Sequence, residues 1–389
     1  MKPKLFRVTT VSESLKILLK GQHKFMSENG FEVIGVSTPG VALDEVNTNE
    51  NIRVIGLNMS RKITPIKDVL SVYYLYKLLK KEKPLIVHSH TPKAGIVTML
   101  AAKLANIPIR LHTVAGLPLM EAKGIKRKIL NFVEKMTYSC ATNVYPNSKG
   151  LFQFIVNEEF VSSKKLKVIA NGSSNGIDTS YFDSGNISEV QKEDLRTKLN
   201  IRNTDFVFIF VGRLVGDKGI NELIQAFSSI NDYNVKLVLV GGAESDLDPL
   251  FEETVNEIEK NPNIISVGFQ NDVRPYFAIS NCLVFPSYRE GFPNVVMQAG
   301  AMGLPSIVSD INGCNEIIRE GENGTIIPVK NIKAIVEAMQ KMSSDKAYYE
   351  QLQQNARLKI QSRYEQQVVW DALLTEYKSL LAKYNITKD

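Results

Sequence analysis

Four residues in the second half of the chain have types and settings that could do chemistry. Glu290 lies in SYREGFPNVVMQAGAMGLP, residues 287–305, within a loop punctuated by glycine and proline. A helical pattern begins near Asn294 and carries Gln298, eight residues beyond Glu290. A carboxylate at a helix entrance is favoured by the helix dipole, and the backbone N–H groups present within Phe292–Val295 (Pro293 has none) would point toward whatever binds there. Such a carboxylate accepts hydrogen bonds from sugar hydroxyls, and the Gln298 amide offers both a donor and an acceptor. Arg213 and Lys218, in FIFVGRLVGDKGINELIQAF (208–227), follow a buried strand and a glycine turn and precede a helix. Two cations beside unpaired backbone N–H groups form a receptor for a diphosphate. Taken singly, each has a plainer explanation: solvated loop charges for the two cations, a helix-start charge for Glu290, a surface amide for Gln298.

The rest of the sequence narrows the chemistry. No GxxxxGK[ST] motif occurs, and Gly212, Gly216 and Gly219 have the wrong spacing for a dinucleotide fingerprint. The three cysteines, Cys140, Cys282 and Cys314, are odd in number and far apart with no CxxC, which points to reduced thiols, not a disulfide or zinc framework. His88 and His90 share one face of a strand but have no neighbouring carboxylate or cysteine, so packing in the core or a crevice is expected. His23 reads as a surface helix residue, and Tyr73, Tyr74 and Tyr76 as ordinary packing. A net charge of +6 over 389 residues is mild. It suits an anionic substrate or a membrane face and speaks against a nucleic-acid binder. No apolar run approaches the roughly 18 residues of a membrane span, and the N-terminal MKPKLFRVTT lacks the apolar core of a secretion signal.

Positioning these residues requires alternating strands and helices, and the chain supplies them almost end to end. Strands are expected at Phe6–Val11, Glu32–Val36, Arg53–Gly56, Leu85–Ser89, Ile109–Thr113, Asn143–Pro146 and Leu166–Ala170. After a polar break at 171–204 they recur at Phe206–Val211, Val235–Val240, Ile264–Val267, Cys282–Phe285, Ser306–Ser309 and Gly324–Ile327. Helical patterns such as Leu15–Glu28, Leu70–Lys81 and Gly95–Ala105 lie between. This alternation predicts an α/β protein of two Rossmann-like, doubly wound domains. The expected bounds are 1–182 and 183–364, with 365–389 a terminal helix crossing back to the first domain. Strand carboxyl ends of two such halves would line a shared crevice.

VGRLVGDKGINELIQAF followed by PSYREGFPNVVMQAGAMGLPSIVSDINGCNEII resembles glycosyltransferase family 4, the retaining GT-B nucleotide-sugar transferases. The resemblance extends to NGSSNGIDTSYF and to HSHTPKAGIVTMLAAKLANIPIRLHTVAGLP, while SLKILLKGQHKFMSENGFEV is similar to the bacterial capsule and surface-polysaccharide branch. It implies that Glu290 holds the donor sugar and faces the reacting carbon, and that Arg213 and Lys218 bind the diphosphate. It also implies that His112 faces the sugar from the first domain. Phe269, Gly291, Phe292, Pro293, Asn294, Val295 and Gln298 complete the implied nucleotide-sugar set. Gln298 departs from the family's usual second glutamate, so an amide, without charge, meets the ribose. The family's glycine-rich first loop is replaced by TTVSESLK, where Ser12 and Ser14 stand instead. Asp310, Asn312 and Glu316 fall in a loop expected to line the nucleotide pocket or to cap and orient it.

The implied reaction is transfer of a sugar from a nucleoside diphosphate, UDP on family grounds alone, to a glycan or polyprenyl-diphosphate-linked glycan. The anomeric configuration is kept, and no cofactor or metal is required because the cations stabilise the leaving group. A covalent route and same-face attack both remain open. The basic stretch 121–135, with Lys123, Lys126, Arg127 and Lys128 among Ile125, Ile129, Leu130, Phe132 and Val133, reads either as peripheral contact with an anionic membrane or as a helix with solvated lysines. The expected location is cytoplasmic or at the inner face of the cell membrane, with no nucleic-acid partner. Two other readings use the same fold: a GT-B UDP-sugar epimerase and a non-catalytic sugar-nucleotide-binding protein.

Overall fold

Apolar β-branched runs form two six-stranded, all-parallel sheets in the computed structural model, which describes residues 2–60, 64–120, 122–230, 232–243 and 248–384. The chain divides into two units. One comprises the residues up to Gly176 together with those from Gln367 onward, and the other runs from Ile177 to Gln366.

The first unit contains β1 (Lys4–Val8), α1 (Ser12–Leu18), α2 (Gln22–Glu28), β2 (Glu32–Ser37), α3 (Val41–Glu50), β3 (Arg53–Gly56), α4 (Pro65–Glu82), β4 (Ile86–Ser89), α5 (Pro92–Leu104), β5 (Ile109–Val114), α6 (Gly124–Cys140), β6 (Asn143–Pro146) and α7 (Lys149–Asn157). The second contains α8 (Glu189–Lys198), β7 (Phe206–Val211), α9 (Ile220–Ser228), β8 (Val235–Val240), α10 (Glu252–Lys260), β9 (Ile264–Ser266), α11 (Arg274–Ala278), β10 (Cys282–Phe285), α12 (Asn294–Ala301), β11 (Ser306–Ser309), α13 (Cys314–Ile317), β12 (Gly324–Ile327), α14 (Ile332–Ser344) and α15 (Lys346–Tyr364). The final helix, α16, spans Gln366–Lys383.

Strand order is β3-β2-β1-β4-β5-β6 in one sheet and β12-β11-β10-β7-β8-β9 in the other, the same doubly wound order twice. Strands β4, β8 and β10 are buried along their whole length, as expected where helices cover both faces of a parallel sheet. The order reverses beside β1 and beside β7, so the ends of β1 and β4, and of β7 and β10, are neighbours.

Several local expectations change. Leu166–Ala170 is no strand: Leu166 makes an isolated bridge to Val144, and Ala170, at φ +49°, turns the chain away. Strand β1 stops at Val8, leaving Thr9–Val11 in the loop to α1. The single helix expected over Leu15–Glu28 is two, broken by a turn in which the Gln22 N–H donates to Leu19 O (3.0 Å). The division between units falls after Gly176 rather than 182, because Ile177 exchanges backbone bonds with the segment after α15: its N–H donates to Tyr364 O (2.8 Å) and its carbonyl accepts from Gln366 N–H (3.1 Å).

Helix α16 belongs to the first unit, where Leu373, Leu374, Tyr377 and Leu380 join Leu15, Leu19, Phe31 and Tyr145 in one core. Its polar atoms are specific as well. Trp370 Nε1 donates to Asn175 Oδ1 (2.7 Å), and Tyr145 OH donates to Glu376 Oε1 (3.1 Å). Residues 385–389 of the expected terminal segment lie outside the described residues.

Candidate active site

In the second unit, β10 pairs directly with β7, and this adjacency brings together two loops more than sixty residues apart in sequence. After β7 the chain forms a single tight turn, Gly216–Lys218, before α9 begins at Ile220. Gly219 makes this turn possible: its φ is +72°, and a Cβ there would lie 2.2 Å from Pro286 O. After β10 the chain passes Ser287–Pro293 into α12, whose start has no side-chain cap. The Tyr288 N–H donates to Asp217 O (2.9 Å) and Arg289 pairs with Asp217 (2.8 Å), so the second loop is clipped onto the first.

Lys218 and Glu290 meet at this clip. Lys218 Nζ lies 2.5 Å from Glu290 Oε1, with both side chains mostly buried but reachable, 15% and 18% exposed. Ser287 Oγ, fully buried, stands 3.0 Å from the same carboxylate oxygen. Asn312 holds the main chain beneath, donating from Nδ2 to Glu290 O (3.1 Å) and Gly291 O (2.6 Å). Gly313 follows at φ +77°, where a Cβ would approach Gly291 O to 2.7 Å. The loop is therefore fixed from below while the carboxylate and ammonium remain at its surface. A paired cation and anion of this kind can open to receive an anionic ligand on one partner and hydroxyl donors on the other.

The remaining expected residues of this unit are placed as follows. Arg213 is exposed just beyond the end of β7. Gln298 is half-buried in the second turn of α12, and Asn294, the first residue of that helix, is exposed. Phe292 is a core residue, packed edge-on against Tyr364 at 5.4 Å, so only its backbone is available to a ligand. Phe269 is 74% exposed in the loop after β9. Asp310 accepts from Asn315 (2.8 Å), and the Glu316 carbonyl accepts from Tyr364 OH (2.9 Å), both orienting contacts. Ser287 and Tyr288, the latter anchored through its OH to Glu222 (2.6 Å), were not singled out from sequence. Their proximity to Glu290 in SYREG was the signal available.

In the first unit, His112 lies within β5, two residues before its end, and is 2% exposed. Its Nδ1 is 2.8 Å from Ser89 Oγ, and Tyr138 packs beside its ring at 6.0 Å. Burial lowers its pKa to about 4, so it is neutral at pH 7. His23 is not a surface residue: it is fully buried, and burial together with the nearby Arg7 charge lowers its pKa to about 3. His88 and His90 are core residues, both held well below the usual imidazole range chiefly by burial. His88 bonds Tyr377 OH (2.7 Å) and Thr113 Oγ1 (2.8 Å), and Arg7 Nε donates to His90 Nε2 (2.9 Å). The first loop is closed by hydroxyls: Thr10 Oγ1 meets Thr91 Oγ1 at 2.7 Å, while Ser12 is buried and Ser14 half-buried at the start of α1.

Comparison with known proteins accounts for both halves. Residues 8–148 match the family model described as glycosyl transferase 4-like, and residues 191–359 match glycosyl transferases group 1. The chain is 35% identical over 380 residues to the capsular polysaccharide biosynthesis glycosyltransferase CapM of Staphylococcus aureus, covering 97% of each. It is 32% identical to the UDP-Gal:alpha-D-GlcNAc-diphosphoundecaprenol alpha-1,3-galactosyltransferase of Escherichia coli, covering 74% of each. The crystal structure of Anabaena HepE in complex with UDP superimposes with a TM-score of 0.80 at 17% identity, over 97% of this chain and 100% of that one. The chain belongs to glycosyltransferase family 4, with the GT-B fold, and is a glycosyltransferase.

Proposed function

We propose that this glycosyltransferase moves a sugar from a UDP-sugar to a polyprenyl-diphosphate-linked glycan during bacterial surface-polysaccharide synthesis, retaining the anomeric configuration. The observation that carries the reading is the Lys218–Glu290 pair (2.5 Å) set beside the uncapped start of α12. When the donor enters, a diphosphate oxygen replaces the carboxylate on Lys218, and Glu290, released, accepts hydrogen bonds from the sugar hydroxyls. Arg213, Lys218 and the backbone N–H groups of Gly291, Asn294 and Val295, before and at the start of α12, then stabilise the charge that grows on the leaving diphosphate, while Pro293, which has no N–H, fixes the turn into the helix. These groups do the work a metal does in other transferases, so no metal is required in this scheme. Gln298 meets the ribose hydroxyls as a neutral amide, and Phe269 lies on the nucleotide side. His112, held neutral by burial, contributes hydrogen bonding and no net charge. Attack from the same face as departure lets a phosphate oxygen take the acceptor's proton, which keeps the configuration without a second carboxylate.

The CapM relative acts in capsular polysaccharide biosynthesis, and the E. coli relative uses UDP-Gal and a diphosphoundecaprenol acceptor, which supports the choice of donor and acceptor class. Peripheral contact with an anionic membrane through 121–135 is part of the same reading. On α6, Ile125, Ile129 and Phe132 are 78%, 48% and 65% exposed, beside exposed Lys123, Lys126 and Lys128. Arg127 serves the fold instead, pairing with Glu158 at 2.9 Å, and Glu121 lies outside the described residues. No helix among the described residues is long and apolar enough to cross a membrane.

The test is incubation with UDP-sugars, with and without a polyprenyl-diphosphate-linked glycan. The expected product forms only with acceptor and keeps the donor's anomeric configuration by NMR. A new sugar nucleotide formed without acceptor would identify an epimerase, and binding without turnover a carrier. Arg213→Ala and Lys218→Ala are each expected to lower turnover by roughly two to three powers of ten and to weaken UDP binding, as measured by calorimetry. Gln298→Glu is expected to keep transfer within about tenfold, about 1.4 kcal/mol. Complete loss in that variant would remove the ribose assignment.

A further inference from the structure

Helices α4 and α6 both pack against α5 on one face of the first sheet, forming a single helical layer. The inner side of α4 is an ordinary core face: Leu75 and Leu79 join Val97, Ala101 and strand residues Phe6 and Ile34. Its outer side is also apolar. Ile66, Val69, Leu70 and Tyr73 are 81%, 69%, 48% and 47% exposed. They fall at i, i+3, i+4 and i+7, the spacing of a helix face that packs against something. Tyr73 and Tyr74 are therefore not the ordinary packing residues that their sequence pattern suggested. On α6, Ile125, Ile129 and Phe132 repeat the pattern at i, i+4 and i+7. Nine of the twenty-one large apolar side chains exposed among the described residues stand on these three helices, about an eighth of the chain. Scattered exposed apolar residues need no explanation, but two ordered stripes in one layer do.

Charge identifies the occupant. The three helices carry ten basic residues and three acids, an excess of seven against the +6 of the entire chain. None of the acids is available to repel an anionic surface: Asp68 is paired with Lys93, Glu82 with Lys4 and Arg53, and Glu134 is buried. The cations, in contrast, are outward. Lys67, Lys77, Lys80 and Lys81 on α4, and Lys126, Lys128 and Lys135 on α6, are exposed beside the apolar stripes. Lys77 Nζ lies 4.6 Å over the Tyr73 ring, pairing an aromatic face with a cation where headgroup and acyl chain would meet. Apolar side chains flanked by lysines and free of acids match an anionic bilayer, in which each cation contributes about 1 kcal/mol near the surface.

We propose that α4 is a second lipid-contacting helix and that α4 and α6 together seat the first unit on an anionic bilayer. This deepens the peripheral contact assigned to 121–135 and rests on it. The test is co-sedimentation of the full chain with vesicles of phosphatidylcholine alone or mixed with phosphatidylglycerol. Three proteins are compared with wild type: an α4 apolar variant (I66S/V69S/Y73S), an α4 charge variant (K77E/K80E/K81E) and an α6 apolar variant (I125S/I129S/F132S). All substituted side chains are exposed or half-buried at the surface, and UDP binding, followed in parallel, is expected to stay unchanged. Wild type is expected to bind the anionic vesicles and not the neutral ones, and each variant to lose at least about tenfold in partitioning. Loss in the α6 variant with wild-type partitioning in both α4 variants would overturn the role of α4 while leaving α6 in place. Absence of wild-type binding would overturn both contacts, and equal binding to neutral vesicles would overturn the assignment to anionic lipid. Transfer to a soluble acceptor that persists in every variant would show that the catalytic reading stands apart from either outcome.

Discussion

Glu290→Gln is expected to lower sugar transfer by roughly three powers of ten while UDP binds at least as tightly as to wild type. The two effects separate because of the ion pair. In the free enzyme the carboxylate competes with any phosphate for Lys218 Nζ, 2.5 Å away. An amide removes that competitor, and a partly exposed pair of this kind is worth about 1 kcal/mol or less, so the gain in UDP affinity stays below about tenfold. On the proposed reading, the same substitution takes away the negative charge set against the sugar, where an oxocarbenium-like carbon would develop, and leaves the loop in place. Ser287 can still bond the side chain, and Asn312 still holds the carbonyls of Glu290 and Gly291. Calorimetry with UDP and a transfer assay on the same sample decide the matter. A fall in UDP affinity that parallels the loss of turnover would move Glu290 from the sugar to the nucleotide. An unchanged rate would remove it from the chemistry.

Acidification is expected to destabilise the first unit steeply between about pH 6.5 and pH 5, by roughly 3 kcal/mol per pH unit. All four histidines of the chain lie in that unit, and all are buried and neutral. Burial lowers His23 to about 3 and His112 to about 4, and holds His88 and His90 well below the ordinary imidazole range. Below pH 6.5 the unfolded chain takes up protons that the folded unit refuses, so unfolding gains free energy as the pH falls. Buried carboxylates act the other way. Burial raises Glu134 to about 7, so in this range the folded unit keeps a proton there that the unfolded chain releases, and burial moves Glu50 in the same direction. Four imidazoles of the unfolded chain, partly protonated at the top of the window and nearly fully at its foot, set against Glu134, leave about two protons net, hence the slope. The chain's single tryptophan, Trp370, sits on α16 against Phe25 (ring centroids 5.3 Å apart) and reports this unit alone. Urea titration of its fluorescence should show the midpoint falling across this window. A midpoint that does not move with pH would mean that the imidazoles gain protons without unfolding.

Much of this protein was legible in the residue pattern. Short apolar runs between helical stretches read as strands of parallel sheets, and twelve of the thirteen pair near the expected positions in parallel order. Leu166–Ala170 shows the limit. Its composition is that of a strand, but the positive φ of Ala170 and the path toward the second unit leave it one bridge. The candidate cations and the acid could be placed at strand carboxyl ends, because a glycine turn after an apolar run marks such an end locally. What periodicity could not say was which strand ends are neighbours.

Sequence alone determined the fold class, the two-fold repetition of the α/β pattern and the chemical types available at the loops, since these depend on the local order of apolar and polar residues. Tertiary structure alone decided that Lys218 and Glu290 touch, because their contact follows from β10 lying beside β7, a matter of crossover and not of spacing. It also decided that all four histidines are buried, His88 against Tyr377 of a helix nearly three hundred residues further along the chain, and that the second apolar stripe of α4 faces outward. A local pattern fixes which side chains share a face of an element. Only the packing of that element against the others fixes what the face meets.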